Sequence, residues 1–215
     1  MRGLAASRAS NLDLQICDPA ADFYLGIENY PEAIRRHLQV VQVHPENALA
    51  YYHLGFAYGM VGDRQHELAD YQKAAGLGLS NWDLFLNLGL LYMETGQLDS
   101  ASQVLQLAVL LAPYRPETHF NLALLDERLG MYRKAEQEML LSLSIDPHQD
   151  DARNTLGVIY AEQGNYERAH QEWTDLVKSH PGYAPALANL AILNRIERGE
   201  IAGAARLSSG VAQAH

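Results

Sequence analysis

From Arg153 to Pro181 the chain reads RNTLGVIYAEQGNYERAHQEWTDLVKSHP, with bulky apolar and small residues recurring at steps of three and four. That spacing lays one buried stripe along a helix. Leu156, Gly157 and Tyr160 mark a first helix and Ala169 and Trp173 a second, with Gly164 between them and Pro181 after them. Gly164 can adopt the left-handed conformation that ends a helix, and Pro181 stops the second one. Gly157 and Ala169 are small where two antiparallel helices would touch, while Leu156, Tyr160 and Trp173 fill the space beside the crossing. The pattern predicts a helical hairpin.

The hairpin repeats every 34 residues without insertion, with starts at Leu14, Ala48, Trp82, Pro116, Asp150 and Ala184. The eighth position is Ala21, Gly55, Gly89, Ala123, Gly157 and Ala191, and the eleventh is Tyr24, Tyr58, Tyr92 and Tyr160, with Asp126 and Asn194 as departures. The turn glycines are Gly62, Gly96, Gly130 and Gly164; the second-helix alanines are Ala33, Ala101, Ala135 and Ala169, with Glu67 in that place in the second repeat. Pro45, Pro113, Pro147 and Pro181 close four repeats. This arrangement resembles the tetratricopeptide repeat (TPR) family. The resemblance implies an all-α, right-handed α-α superhelix, a solenoid of about six hairpins over residues 14–199. Residues 1–13 form a polar tail, and 200–215 a degenerate capping helix or tail with only Ile201, Leu207 and Val211 as sizeable apolar residues.

Local departures set finer expectations. Pro19 falls inside the first helix of repeat one, so that helix begins at Pro19 with Asp18 as its cap. In repeat two the second helix ends at Ala75 before Gly76-Leu77-Gly78, and Ser80 with Asp83 caps the next. The sixth repeat keeps a first helix from Pro185 to Arg198. His44 and His180 precede helix-ending prolines, where they can meet the last carbonyls.

Composition removes several functions. The net charge is -10, without the clustered Lys and Arg that bind nucleic acid. Cys17 is solitary, so no intrachain disulfide framework forms; it reads as a small, partly buried residue rather than a reactive thiol. No apolar run reaches the length of a secretory signal or a membrane span. The expectation is a cytoplasmic protein, or a periplasmic or membrane-anchored one if an upstream signal is missing. There is no Gly-rich phosphate loop, no nucleophile in a recognisable setting and no pair of histidines at i, i+4 for a metal. The chain reads as non-enzymatic, with neither cofactor nor metal.

What the family resemblance adds is a concave groove lined by the first helix of each repeat, at positions 2, 5, 6, 9, 12 and 13. Position six holds Asn87, Asn121 and Asn189, with His53 and Thr155 in the equivalent places and Asn154 adjacent. This row is similar to the asparagine ladder in the TPR domain of O-linked N-acetylglucosamine transferase, where each amide bonds the backbone of an extended peptide. An apolar strip accompanies it: Phe56, Met60, Leu86, Leu90, Met93, Phe120, Leu124, Val158 and Ile192. Asp83, Glu94, Glu117, Glu127, Asp151 and Glu162 outnumber Arg128 and Arg195 at the rim, so the partner is expected to carry basic residues beside apolar ones. Position five holds Asp18, Tyr52, Leu86, Phe120, Asn154 and Ala188, which lacks the lysine of the family's carboxylate clamp. The expected function is a scaffold or adaptor that holds an extended or helical apolar-basic segment of a partner protein. The alternative is a structural subunit that self-associates through its ends, the C-terminal one in particular.

Overall fold

The computed structural model describes residues 17–200. The expected polar tail and the degenerate C-terminal segment, with its possible self-association, lie outside the described residues. Eleven helices follow one another with no strand among the described residues: α1 Pro19–Gly26, α2 Tyr30–Val43, α3 Ala48–Val61, α4 Arg64–Gly76, α5 Trp82–Glu94, α6 Leu98–Leu111, α7 Pro116–Arg128, α8 Tyr132–Ile145, α9 Asp150–Glu162, α10 Tyr166–Ser179 and α11 Ala184–Glu197. They form two compact units divided between Leu111 and Ala112. In the first, α1 to α6 pack each on the next; in the second, α7 to α11 do the same. Each unit is a stack of helical hairpins, the solenoid arrangement expected from the repeat.

Position eight explains how closely each hairpin closes. A Cβ on Gly157 would fall on the Trp173 ring, one on Gly55 on the Tyr71 ring and one on Gly89 on Leu105. The bare backbone lets a large side chain from the second helix lie directly on the first. Trp173 is fully buried, and its indole Nε1 donates to the Asn154 carbonyl at 3.0 Å. In repeat two, Glu67 stands in place of the small second-helix residue and is also buried. Gly59 leaves room for its carboxylate, and Arg64 Nη1 bonds Glu67 Oε2 at 2.6 Å.

The turn glycines have positive φ, +79° at Gly164. In repeat one Glu28 takes that place at φ 58°, in a region where a Cβ is strained.

Several local expectations meet the structure closely. Helix α1 starts at Pro19, and Asp18 Oδ1 accepts from the Ala21 amide at 2.8 Å. Others shift. Helix α4 runs one residue past Ala75, and α11 spans Ala184–Glu197 rather than 185–198. The cap of α5 is Asn81, not Ser80: its backbone is extended and its Oδ1 accepts from the Asp83 amide at 2.9 Å. His44 and His180 sit at the helix ends, but their rings pair with carboxylates, His180 Nδ1 with Asp150 Oδ1 at 3.0 Å and His44 Nδ1 with Glu46 Oε1 at 3.7 Å. A charged oxygen in reach is a stronger partner for an imidazole than a helix carbonyl. No described helix is long and apolar enough to cross a membrane.

Candidate partner-binding faces

The first helices of the repeats carry all the expected contact residues, α3 and α5 in the first unit and α7, α9 and α11 in the second. Burial divides them. Leu86, Asn87 and Leu90 are buried in the first unit, as are Asn121, Leu124, Asn154, Val158 and Asn189 in the second. Phe56, Phe120, Glu127 and Ile192 are half-buried, while Met60 and Glu94 are exposed.

The asparagine row is therefore not a set of solvated side chains. Asn189 Nδ2 donates to Asn154 Oδ1 at 3.1 Å, a bond from α11 to α9. Asn121 Nδ2 donates to the Glu117 carbonyl at 2.8 Å, one turn back in its own helix. Within the second unit α9 and α11 touch at the Asn189–Asn154 bond, a contact that covers what a single helical wheel leaves open. Two amide oxygens, Asn87 Oδ1 and Asn121 Oδ1, are buried without a hydrogen-bond partner.

Acidity is concentrated on α7 and α9. Glu117 Oε2, one turn from Asn121 on α7, also lacks a partner. Burial and then the charge of Glu162 push the Glu127 carboxyl above its ordinary range. Tyr132 donates its hydroxyl to Glu162 Oε2 at 3.3 Å. In the first unit, Glu94 is met by Arg64 at 3.5 Å.

His53 was expected in the groove and belongs elsewhere. It is fully buried, with Nδ1 2.9 Å from Asp22 Oδ1 on α1 and 3.1 Å from His37 Nε2 on α2. His37 Nε2 lies 3.0 Å from the same Asp22 oxygen. With the half-buried Cys17, these residues bring four ligand atoms within 4.8 Å of one another. Burial alone would raise the Asp22 carboxyl, but the bonds from His37 and His53 outweigh it and hold the group well below the usual carboxylate range. Burial pushes the Cys17 thiol up to about 12, with Asp22 and Asp18 adding to the effect, so the thiol is held neutral rather than reactive. Spacing within one helix could not reveal this group, because its members come from three helices and the segment before them. One signal was present. His37 occupies the position that holds Tyr71, Leu105, Met139 and Trp173 in the next four repeats, the large residue that lies on the position-eight backbone.

Stacked hairpins with a small residue at each crossing define an all-α repeat protein of the interaction-scaffold class. A tetratricopeptide-repeat model matches residues 83–115 and 116–149, and a second model of the same repeat matches 154–212. The chain belongs to the tetratricopeptide repeat family. No curated protein matches it. Among solved structures, the chain is similar to YrrB, described as a TPR protein with an unusual peptide-binding site, at 26% identity and TM-score 0.73, covering 78% of this chain and 87% of that one. It is similar in fold to MamA from Desulfovibrio magneticus RS-1 at 18% identity and TM-score 0.68, covering 78% and 99%. A tetratricopeptide repeat protein from Parabacteroides merdae shares the fold at 20% identity and TM-score 0.73, covering 84% and 72%.

Proposed function

We propose that this interaction scaffold holds a segment of a partner protein on the first-helix faces of its repeats, and that the segment carries Lys or Arg beside apolar residues. The observation that carries this reading is the acidic surplus on α7. Glu117 and Glu127 are both half-buried there, and Glu127 shares its surroundings with the like charge of Glu162. A guanidinium or ammonium brings donors and positive charge together, which suits such a face better than water does. Phe120 follows Glu117 by three residues on the same side of α7 and is half-buried, so it offers an apolar contact beside the acidic one. In the first unit Phe56 and Met60 stand one turn apart on α3 and offer the same kind of apolar contact. The peptide-binding site described for YrrB supports a peptide as the class of ligand. Of the buried asparagines, Asn154 and Asn189 contribute by joining α9 to α11.

A peptide array probed with the intact chain tests this reading. Peptides with Lys or Arg flanking apolar residues should be retained, and raised salt should weaken them. The Glu117→Gln, Glu127→Gln double variant should lose most of that selection, and Phe120→Ser should lose retention more broadly. Selection that persists unchanged in the double variant would remove the basic preference. Retention unchanged in Phe120→Ser would remove α7 as the face.

A further inference from the structure

We propose that Asp22, His37, His53 and Cys17 form a binding site for a divalent transition ion of borderline softness, zinc being the fitting physiological ion. The site lies wholly within the first unit and is independent of the peptide-binding reading.

Three inward-facing atoms, Asp22 Oδ1, His37 Nε2 and His53 Nδ1, make a nearly equilateral triangle with edges of 2.9, 3.0 and 3.1 Å. Ligands bound to zinc at ~2.1 Å in a tetrahedron stand about 3.4 Å apart. An ion is accommodated if each side chain retreats by a few tenths of an ångström. Cys17 Sγ is close enough to complete the set, since all four ligand atoms lie within 4.8 Å of one another. Two imidazoles, a carboxylate and a thiolate suit zinc or cobalt; magnesium and calcium prefer oxygen throughout.

The surrounding bonds already orient the ligands. His37 Nδ1 lies 2.9 Å from the Ala33 carbonyl, to which it donates, so in the neutral ring the Nε2 lone pair points inward. Asp22 Oδ2 accepts from the Cys17 and Asp18 amides at 2.8 and 3.2 Å, which fixes the carboxylate and leaves Oδ1 for the site. His37 Nε2 and Asp22 Oδ1 stand 3.0 Å apart across a hydrogen bond, and a bound cation takes the place of the proton they share, which leaves to solvent. His53 Nε2 has no hydrogen-bond partner, so its ring can carry its proton there once Nδ1 gives up its bond to Asp22 and coordinates. On binding, the Cys17 thiol gives its proton to solvent as the S–metal bond forms, and the His53 proton leaves Nδ1 for Nε2 by exchange with water.

The repeat provides an internal control. The position of Asp22 holds Phe56, Leu90, Leu124, Val158 and Ile192 in the other repeats, and that of His37 holds Tyr71, Leu105, Met139 and Trp173. Repeat one thus replaces two apolar packing positions with ligand-type residues, and repeat two places His53 where three repeats have Asn. The half-buried Cys17 also lines a cleft of about 400 Å³ with Arg36, Gln39 and Asn47, which gives an ion a way in. Once bound, the ion would pin α1, only eight residues long, to α2 and α3.

The test uses the full chain, stripped of metal with a chelator and titrated with Co²⁺ and then Zn²⁺. One equivalent of Co²⁺ should give the visible bands of a tetrahedral site with a thiolate-to-cobalt band in the near ultraviolet, and Zn²⁺ should displace it. Cys17→Ser, at a half-buried position where folding is not at stake, should lose the thiolate band and weaken Zn²⁺ at least tenfold. Asp22→Asn should lose stoichiometric binding, with circular dichroism verifying its helices. A His44→Gln, His66→Gln variant, which removes two exposed histidines of the same unit, should leave the spectrum unchanged. Absence of saturable binding in the intact chain overturns the site, as does a cobalt spectrum unaltered by both Cys17→Ser and Asp22→Asn.

Discussion

The two units build one repeat in different ways. In the second, the buried residues form a continuous apolar cluster from Ala123 to Leu193 around Met139, Ile159, Trp173 and Leu176. Its helix starts are comparatively bare: Arg115, Met131, Gln149 and Tyr183 make no side-chain cap, and only Asn165 on α10 does. In the first, α1 to α5 are each capped by a side chain, from Asp18, Asn29, Asn47, Asp63 and Asn81. Its interior is more divided, with one cluster around Tyr52, Tyr71 and Leu84, another around Leu25, Ala33 and Ala57, and the Asp22–His37–His53 group. One unit relies on volume and contact, the other on local hydrogen bonds at helix ends and a polar junction. The difference teaches that the repeat constrains shapes at the crossings and leaves open which forces hold them.

The largest expected effect tests the apolar side of the contrast. Trp173→Ala should cost the second unit about 3–5 kcal/mol in urea unfolding, and Gly157→Val, whose Cβ meets the Trp173 ring, should cost a similar amount. Trp82 in the first unit then serves as a separate fluorescent reporter, since the chain has two tryptophans and one lies in each unit.

Next comes the polar junction, measured in chelator. His37→Leu alone should destabilise the first unit by about 2 kcal/mol, because Asp22 stays buried with one imidazole fewer. The triple variant Asp22→Leu, His37→Leu, His53→Asn, which copies the residue types of the other repeats, should instead stabilise it by about 1 kcal/mol or more. The sign reversal is read from urea midpoints. A triple variant less stable than the single one would show that the junction is not interchangeable with the repeat's usual packing.

Helix caps give a paired comparison of smaller size. Asn47→Ala should cost about 1 kcal/mol, since Asn47 Oδ1 accepts from the Ala50 amide at 3.0 Å. Met131→Asp should add up to about 1 kcal/mol to the second unit by supplying a cap that α8 lacks. Both are read by thermal melting.

A pH effect of similar or smaller size separates two corresponding carboxylates. Burial raises Asp70 in the first unit to about 6, with His66 opposing it. Burial also raises Glu172, at the same repeat position in the second unit, where Arg153 at 3.5 Å opposes the shift. A carboxyl with a raised folded value favours folding most below its unfolded value, near 4, and loses that contribution as pH rises through 6. Asp70→Asn should flatten the stability profile between pH 4 and 7 by on the order of 1 kcal/mol, after allowance for solvent screening. Smallest of all, Glu28→Gly should stabilise repeat one by about 0.5–1 kcal/mol, because glycine accepts φ 58° without strain.

Much of the fold was legible in the chain because its signals are steric and local. Gly157 under Trp173, Gly164 at the turn and Pro19 behind Asp18 each act within one hairpin or one helix end. The expected contact residues follow from their repeat positions, but their exposure does not. Asn121 bonds its own helix and Asn189 bonds Asn154 on α9, so changing the asparagines to alanine is also a change to packing. His53 illustrates the same limit, since its helical position pointed to a groove and its neighbours on α1 and α2 enclose it.

The sequence by itself determined the hairpin, its period of 34 residues and the family, because crossing size, turn conformation and helix stops depend on residues close in the chain. Tertiary structure alone decided which polar side chains of the first helices are covered, and which titratable groups converge. Asp22 and His37 are separated by 15 residues and His37 and His53 by 16. Their meeting depends on how three helices stack, and stacking is set by contacts that no single helix contains.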